Sequence, residues 1–278
     1  MKKKERAVVL SQECIATDIY SMWIETPDIA AEAIPGQFIT LYTKDADKLL
    51  PRPISLCEID KKNGRLRIVY RIAGAGTKEF SAYKAGDAVE IMGPLGNGFS
   101  ETGKKPMVIG GGIGIPPMLG LAKSLKESGS DVTAVLGYRS ELFLQDEFAS
   151  SSSVYNATED GNSGTKGTVI DAIKENNLDA DIIFACGPKP MLRAIKELAA
   201  QKKIPCYISL EERMACGIGA CLGCVCHSKD IDEHSNVRNK RICKDGPVFR
   251  AEEVELLTPD EQRERIASGI MIKKEGQA

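Results

Sequence analysis

The sequence predicts a small antiparallel β-barrel, then an α/β unit built on a parallel sheet, then a short cysteine-bearing C-terminal segment. Three observations carry this. Residues from about 4 to 100 break into short apolar runs divided by turn signals. From about residue 104 short strands alternate with helix-length stretches. Beyond residue 210, three of the nine cysteines fall within nine residues. The expected divisions are residues 1–102, 103–210 and 211–278.

In the first part the strand runs are Cys14–Thr26, Gln37–Thr43, Pro53–Ile59, Leu66–Arg71 and Ala88–Met92. Pro35-Gly36, Lys62-Asn63-Gly64 and Ala85-Gly86-Asp87 punctuate them. Leu66, Ile68 and Tyr70 alternate with Arg65, Arg67 and Val69, a mostly half-buried strand. Short strands at this spacing, about six in all, suit a barrel. In the second part Pro106–Ile109, Val132–Tyr138, Val154–Thr158, Asp181–Ala185 and Cys206–Leu210 read as strands. Pro116–Lys126, Val169–Glu175 and Met191–Gln201 read as helices, and Leu256–Ala278 as a polar helical tail. Strands alternating with helices imply right-handed crossovers.

A chain of 278 residues has room for two compact domains and an appendage. With 42% hydrophobic and 27% charged residues and a net charge of −2, it carries no field that would draw it to nucleic acid or a membrane surface. The longest apolar run, Met107–Ala122, holds five glycines and two prolines and is too broken to span a bilayer. The basic start Met1–Arg6 is followed by no apolar region, so no export signal is read. Clustered cysteines then point to metal binding in a reducing cytoplasm rather than to disulfides.

Three stretches can hold nucleotides. Arg52-Pro53-Ile54-Ser55, with Val69-Tyr70-Arg71 and Gly74-Ala75-Gly76-Thr77, can present a cation, hydroxyls and close-approach backbone to one ligand. Gly110-Gly111-Gly112-Ile113-Gly114-Ile115-Pro116-Pro117-Met118 lies between a strand and a helix, where a pyrophosphate meets helix N–H groups. It departs from the full dinucleotide fingerprint, because Ile115 and Pro117 stand where the third glycine belongs. Cys186-Gly187-Pro188 closes a parallel strand at the edge where open α/β sheets bind ligands. Taken singly, each has a plain reading: a turn, a hinge and a buried cysteine.

The cysteine stretch is the most specific. Cys216, Cys221 and Cys224 have the C-x4-C-x2-C spacing of a plant-type [2Fe–2S] cluster, which needs four thiolates. Gly217, Gly219 and Gly223 allow the sharp turns that aim N–H groups at sulfur. A structural zinc site usually pairs two short-spaced units, and only one is evident. Cys226 is near enough in sequence to be the fourth ligand, and Cys243 is the distant candidate. His227 and His234 lie between them; as ligands they would make a Rieske-type centre.

In this order, Arg-Pro-x-Ser, the Gly-Gly-x-Gly turn and Cys-Gly-Pro resemble the ferredoxin–NADP reductase superfamily. Arg213 to Cys224, together with Cys243-Lys-Asp-Gly-Pro-Val-Phe249, narrows the resemblance to the family of electron-transfer subunits of class 1B dihydroorotate dehydrogenase. The likeness runs over nearly the whole chain. It implies that Arg52, Pro53, Ile54, Ser55, Val69, Tyr70, Arg71, Gly76 and Thr77 contact FAD. It implies that Gly111, Gly112, Gly114 and Cys186 border an NAD pocket, and that Cys216, Cys221, Cys224 and Cys243 hold the [2Fe–2S] cluster.

The family's partner is an FMN-containing catalytic subunit that oxidises dihydroorotate in pyrimidine (UMP) synthesis, usually in a heterotetramer of two of each subunit. The implied path is FMN, cluster, FAD, NAD+, with no side chain acting as a general acid or base. The nearest alternative is a reductase subunit serving an oxygenase, a hydrogenase or a ferredoxin/sulfide complex. A zinc-stabilised binding module is the rival from another class.

Overall fold

The computed structural model describes residues 2–45, 47–232, 236–258, 260, 261 and 263. Its first sheet closes on itself. The strands are β1 (Lys3–Ala16), β2 (Ile19–Glu25), β3 (Phe38–Leu41), β4 (Arg52–Asp60), β5 (Arg65–Arg71) and β6 (Ala88–Leu95). They run β1-β2-β5-β4-β3-β6 around the barrel, every pair antiparallel. Two short helices, α1 (Pro27–Glu32) and α2 (Ala75–Phe80), sit in the connections. Ile24, Ile39, Leu41, Leu66, Ile68 and Ile91 fill the interior and are inaccessible to solvent. Each such burial contributes about 1.5–3 kcal/mol, and closure removes open strand edges.

The run Cys14–Thr26, expected as one strand, is divided. β1 ends at Ala16, the chain reverses, and β2 starts at Ile19. Asp18 makes the reversal at φ 58°, a region aspartate tolerates better than most residues. β1 also begins earlier than the apolar pattern suggests, because its first residues are charged and only Ala7 and Val9 turn inward.

The second sheet starts with β7 (Pro106–Gly111). A single 3₁₀ turn, Gly112–Gly114, leads into α3 (Ile115–Glu127). Then come β8 (Thr133–Tyr138), α4 (Gln145–Ala149), β9 (Ser153–Thr158), β10 (Thr165–Lys166), α5 (Val169–Glu175), β11 (Ile182–Cys186), α6 (Lys189–Lys202) and β12 (Cys206–Ser209). The helices expected over Pro116–Lys126, Val169–Glu175 and Met191–Gln201 are α3, α5 and α6. The cysteine segment holds a two-stranded ribbon, β13 (Val225–His227) with β14 (Asn239–Arg241), and one turn of helix, α7 (Ile242–Asp245). The chain then returns to the sheet as β15 (Val248–Arg250).

The sheet order is β10-β9-β8-β7-β11-β12-β15. Its neighbours are parallel except for β15, which pairs antiparallel with β12. From β7 the chain moves outward through β8, β9 and β10, then crosses back to lay β11 on the other side of β7. Strand order therefore reverses between β7 and β11, the place where open α/β sheets form their ligand crevice. The expected tail over Leu256–Ala278 lies outside the described residues from position 264 on, and so does His234. Among the described residues no helix is long and apolar enough to cross a membrane.

Candidate functional site

The barrel segment comes first. β4 and β5 are antiparallel neighbours, so Arg52–Ser55 at the start of one and Val69–Arg71 at the end of the other share one end of the barrel. Pro53 pairs with Thr40 and Ser55 with Phe38 across β3. Tyr70 turns its ring inward, stacked on Tyr20 at 6.0 Å, and its hydroxyl donates to Gln12 Oε1 at 2.7 Å. Its side chain and that of Val69 are buried in protein, whereas Arg71 is exposed.

Thr77 Oγ1 accepts from the Ala73 N–H at 2.8 Å and the Gly74 N–H at 3.2 Å, which fixes the turn that opens α2. Gly76 lies beneath Arg52; a Cβ there would stand 2.6 Å from the guanidinium carbon. Arg52 also donates to the Leu50 carbonyl. The motif pieces that are distant in sequence are thus in contact, with a cation held over a glycine backbone.

The second group meets at the reversal of strand order. Cys186 pairs with Gly110 on one side and Ser209 on the other. Gly114 packs on the Cys186–Gly187 peptide, and Gly111 against Met191 and Pro188. Gly112 has φ 53° and lies near the Arg71 guanidinium, so the glycine turn faces the barrel segment. A side chain at any of the three positions would occupy the crevice or its walls. Burial, then the Glu211 charge, push the Cys186 thiol up to about 12 despite a hydrogen bond with Ser209. Cys186 is therefore a neutral thiol at physiological pH, fit to pack or donate and not to attack.

The cysteines form two pairs. Burial pushes Cys216 up, but the Ile218 N–H (3.5 Å from Sγ), the Cys221 thiol and the neighbouring amides donate to it and bring it to about 6. In the second pair the Cys243 thiol donates to Cys224. With the Cys243 N–H at 3.4 Å it outweighs burial and holds Cys224 at about 6. The same contact pushes Cys243 up. Two thiol pairs with N–H groups turned to sulfur are the donor set a binuclear iron–sulfur cluster needs.

Gly217 and Gly219, at φ 68° and 88°, make the turns of this loop. Among the described residues no three cysteine, histidine or carboxylate side chains gather as they would around a single metal ion. Cys226 stands apart. It lies on β13 opposite Lys240, and burial pushes it up to about 11. His227, beside it, is exposed.

The cysteine loop is seated on the barrel. A Cβ on Gly217 would lie 3.0 Å from Thr40 Cγ2 and 3.6 Å from Leu95 Cδ1. Thr40 is the cross-strand partner of Pro53, so the loop and the Arg52–Ser55 segment are neighbours on one barrel face. Asn97 N donates to Gly246 O at 2.6 Å, and Lys189 pairs with Glu212, fastening the segment to barrel and sheet.

Sequence reasoning missed Thr40 and Ser209, which carry no motif.

Family models match three stretches of the chain. Residues 6–99 match the oxidoreductase FAD-binding domain. Residues 108–197 match the oxidoreductase NAD-binding domain. Residues 211–255 match the iron–sulfur cluster binding domain of dihydroorotate dehydrogenase B.

The chain is 44% identical over 260 residues to the dihydroorotate dehydrogenase B (NAD(+)) electron transfer subunit of Bacillus caldolyticus, covering 91% of this chain and 99% of that protein. The corresponding subunit of Geobacillus sp. (strain WCH70) is 43% identical over 263 residues, covering 92% and 100%. Among solved structures, that of an NADH-dependent reduced ferredoxin-NADP oxidoreductase superposes with a TM-score of 0.81 at 32% identity, covering 94% of this chain and 93% of that one. The ferredoxin reductase in carbazole 1,9a-dioxygenase shares the fold, with a TM-score of 0.64 at 21% identity over 74% and 69% of the two chains.

Proposed function

The chain belongs to the electron transfer subunits of NAD-dependent dihydroorotate dehydrogenase B, and from that premise we propose how its parts divide the work. The reading is a path from the FMN of a dihydroorotate-oxidising catalytic subunit, through a [2Fe–2S] cluster and FAD, to NAD+, within a cytoplasmic assembly of two copies of each subunit. A cluster carries single electrons and a flavin exchanges single electrons for a pair, which is the chemistry these groups supply when bound.

The residues divide into three holders. Cys216, Cys221, Cys224 and Cys243 would hold the cluster, with the Ile218 and Cys243 N–H groups stabilising negative sulfur. Arg52 to Ser55, Arg71, the Val69–Tyr70 backbone, Gly76 and Thr77 would hold FAD. Gly111, Gly112, Gly114 and Cys186 would shape the NAD crevice. No side chain needs to move a proton, and the neutral Cys186 thiol agrees with that.

One observation carries the order of the path. Gly217, next to the cluster ligand Cys216, rests on Thr40, whose partner across the strand is Pro53 of the flavin segment. On the other side Arg71 reaches Gly112 of the nucleotide turn. The flavin segment therefore touches both the cysteine loop and the nucleotide turn, which supports this order. Ile218 and Leu222 are exposed apolar side chains on the cysteine loop, suited to docking the catalytic subunit beside the cluster.

The test is Cys221→Ser in the assembled complex. Dihydroorotate-driven reduction of NAD+ should stop, while NADH-driven reduction of FAD and of artificial dyes continues. Loss of both activities in folded, flavin-loaded protein would sink the ordering. The likeness to the NADH-dependent reduced ferredoxin-NADP oxidoreductase supports a second reading, a subunit of another reductase. Failure of dihydroorotate to reduce the intact complex would favour it.

A further inference from the structure

Helix α3 crosses strand β4 in close contact. Gly120 sits in the middle of α3, where a Cβ would drive into the Cys57 carbonyl oxygen, 3.4 Å from the carbonyl carbon and 3.7 Å from Glu58 Cα. Glycine inside a helix costs about 1 kcal/mol relative to alanine. Its neighbours Leu119, Leu121, Ala122 and Lys123 are all good helix formers, so the crossing supplies the reason for it.

One turn further along, Lys123 Nζ meets Glu58 Oε2 at 2.5 Å. Arg67 on β5 donates to Glu58 at 2.7 Å, to Glu147 of α4 at 2.5 and 3.0 Å, and to Ser21 Oγ at 2.9 Å. Arg67 is only 5% exposed. The crossing is thus clamped on one flank by charges drawn from both the barrel and the nucleotide sheet.

Both crossing elements lead to a cofactor segment. Cys57 follows Ser55 by two residues on β4, and Gly120 of α3 lies six residues past Gly114, the last residue of the turn that opens the helix. At roughly 3.3 Å per strand residue and 1.5 Å per helix residue, the arms are about 7 and 9 Å long. Resting on the cofactor assignment above, we propose that the Gly120–Cys57 crossing is the fulcrum that sets the gap between the flavin on the barrel and the nicotinamide at the α3 turn. Gly120 acts as a positioning residue for hydride transfer. In that step two electrons and one proton leave NADH together, giving NAD+, and enter the flavin.

A methyl group at position 120 forces the two elements apart by about 1 Å. A shift of that size costs about 100-fold where reacting atoms must stand 3–3.5 Å apart. The cysteine loop is seated on Thr40 and Leu95 of the barrel and is not touched by the crossing.

The test is Gly120→Ala in the complete, FAD-loaded complex, followed by stopped flow. Flavin reduction by NADH should fall 10- to 100-fold while NADH affinity stays within about threefold. The long-wavelength absorption of stacked nicotinamide and flavin should be lost, and amide exchange at Leu56–Glu58 should quicken. Flavin reduction from the dihydroorotate side should stay within twofold. An NADH rate within twofold of wild type overturns the proposal, and so does equal loss from both directions.

Should Gly120→Ala fail to fold, Lys123→Met loosens the clamp without adding bulk at the crossing. It should slow the NADH step 3- to 10-fold, and an unchanged rate overturns the proposal. A wild-type complex whose flavin NADH cannot reduce would overturn the cofactor assignment, and this proposal with it.

Discussion

Gly114 lies flat against the Cys186–Gly187 peptide: a Cβ at Gly114 would stand 2.5 Å from the Cys186 carbonyl carbon and 2.7 Å from Gly187 N. Gly114 closes the turn that follows β7, and Cys186 ends the neighbouring parallel strand β11; backbone on backbone leaves no flexible side chain to give way. Gly114→Ala should therefore weaken NADH binding at least tenfold and lower stability by about 1–3 kcal/mol, with FAD and iron content kept. Flavin-quenching titration and a urea melt check both, and unchanged NADH affinity would show that this contact does not shape the crevice.

Gly76→Ala should act on the flavin site through Arg52, whose guanidinium occupies the space a methyl group would take. Hydrogen bonds to charged groups contribute about 1.5–3 kcal/mol, so FAD affinity should fall roughly 10- to 100-fold. Equilibrium dialysis of the flavin measures this, and Arg52→Met should give a loss of similar size.

The cysteine pairs predict a contrast in metal content. Cys243→Ser should lose most of its iron, because it takes away half of the Cys224–Cys243 pair. Cys226→Ser should keep its iron, since Cys226 faces Lys240 on the ribbon. Iron and sulfide assays decide; full iron in Cys243→Ser together with loss in Cys226→Ser would reverse the assignment.

The clamp at the crossing predicts an acid dependence. Burial raises the Glu58 carboxyl, but hydrogen bonds from Lys123 and Arg67 outweigh it and leave the group below its ordinary value of 4.5. A carboxylate held low in the folded state stabilises fully above its unfolded value and loses that contribution as pH falls through the folded one. Glu58→Gln should thus be less stable than wild type at pH 7, with the difference shrinking below about pH 4.5. Parallel urea curves with a constant difference down to pH 3 would remove Glu58 from this role.

Much of the architecture was legible because its periods are clean. Leu66, Ile68 and Tyr70 marked a barrel strand, although Arg67 and Val69, expected on a half-exposed face, are buried too; the glycine turn between an apolar strand and α3 marked the crevice. The reversal at Asp18 was not legible, since neither glycine nor proline signals it. The short helices α1, α2 and α4 are held by their surroundings rather than by any long apolar stripe. The choice between Cys226 and Cys243 was open on spacing alone; pairing β13 with β14 turns Cys226 to Lys240 and brings Cys243 under Cys224. Contacts such as Gly120 on Cys57 and Gly217 on Thr40 join residues far apart in the chain. They depend on how barrel, sheet and loop are assembled, which no local pattern encodes.

The pairing of β12 with β15 has a consequence for how such a chain can be edited. Ser209 and Val248 are direct cross-strand partners, and Leu210 N donates to Pro247 O at 2.9 Å. Everything between them leaves the sheet and returns to the same spot. Topologically the cysteine segment is an insertion spliced between two neighbouring strands, with Leu210, Cys224, Ile242 and Cys243 packed into the same core as β7, β11 and β12. Replacing residues 210–247 with a tight hairpin turn would keep the FAD- and NAD-binding domains and remove most of the iron–sulfur cluster binding domain.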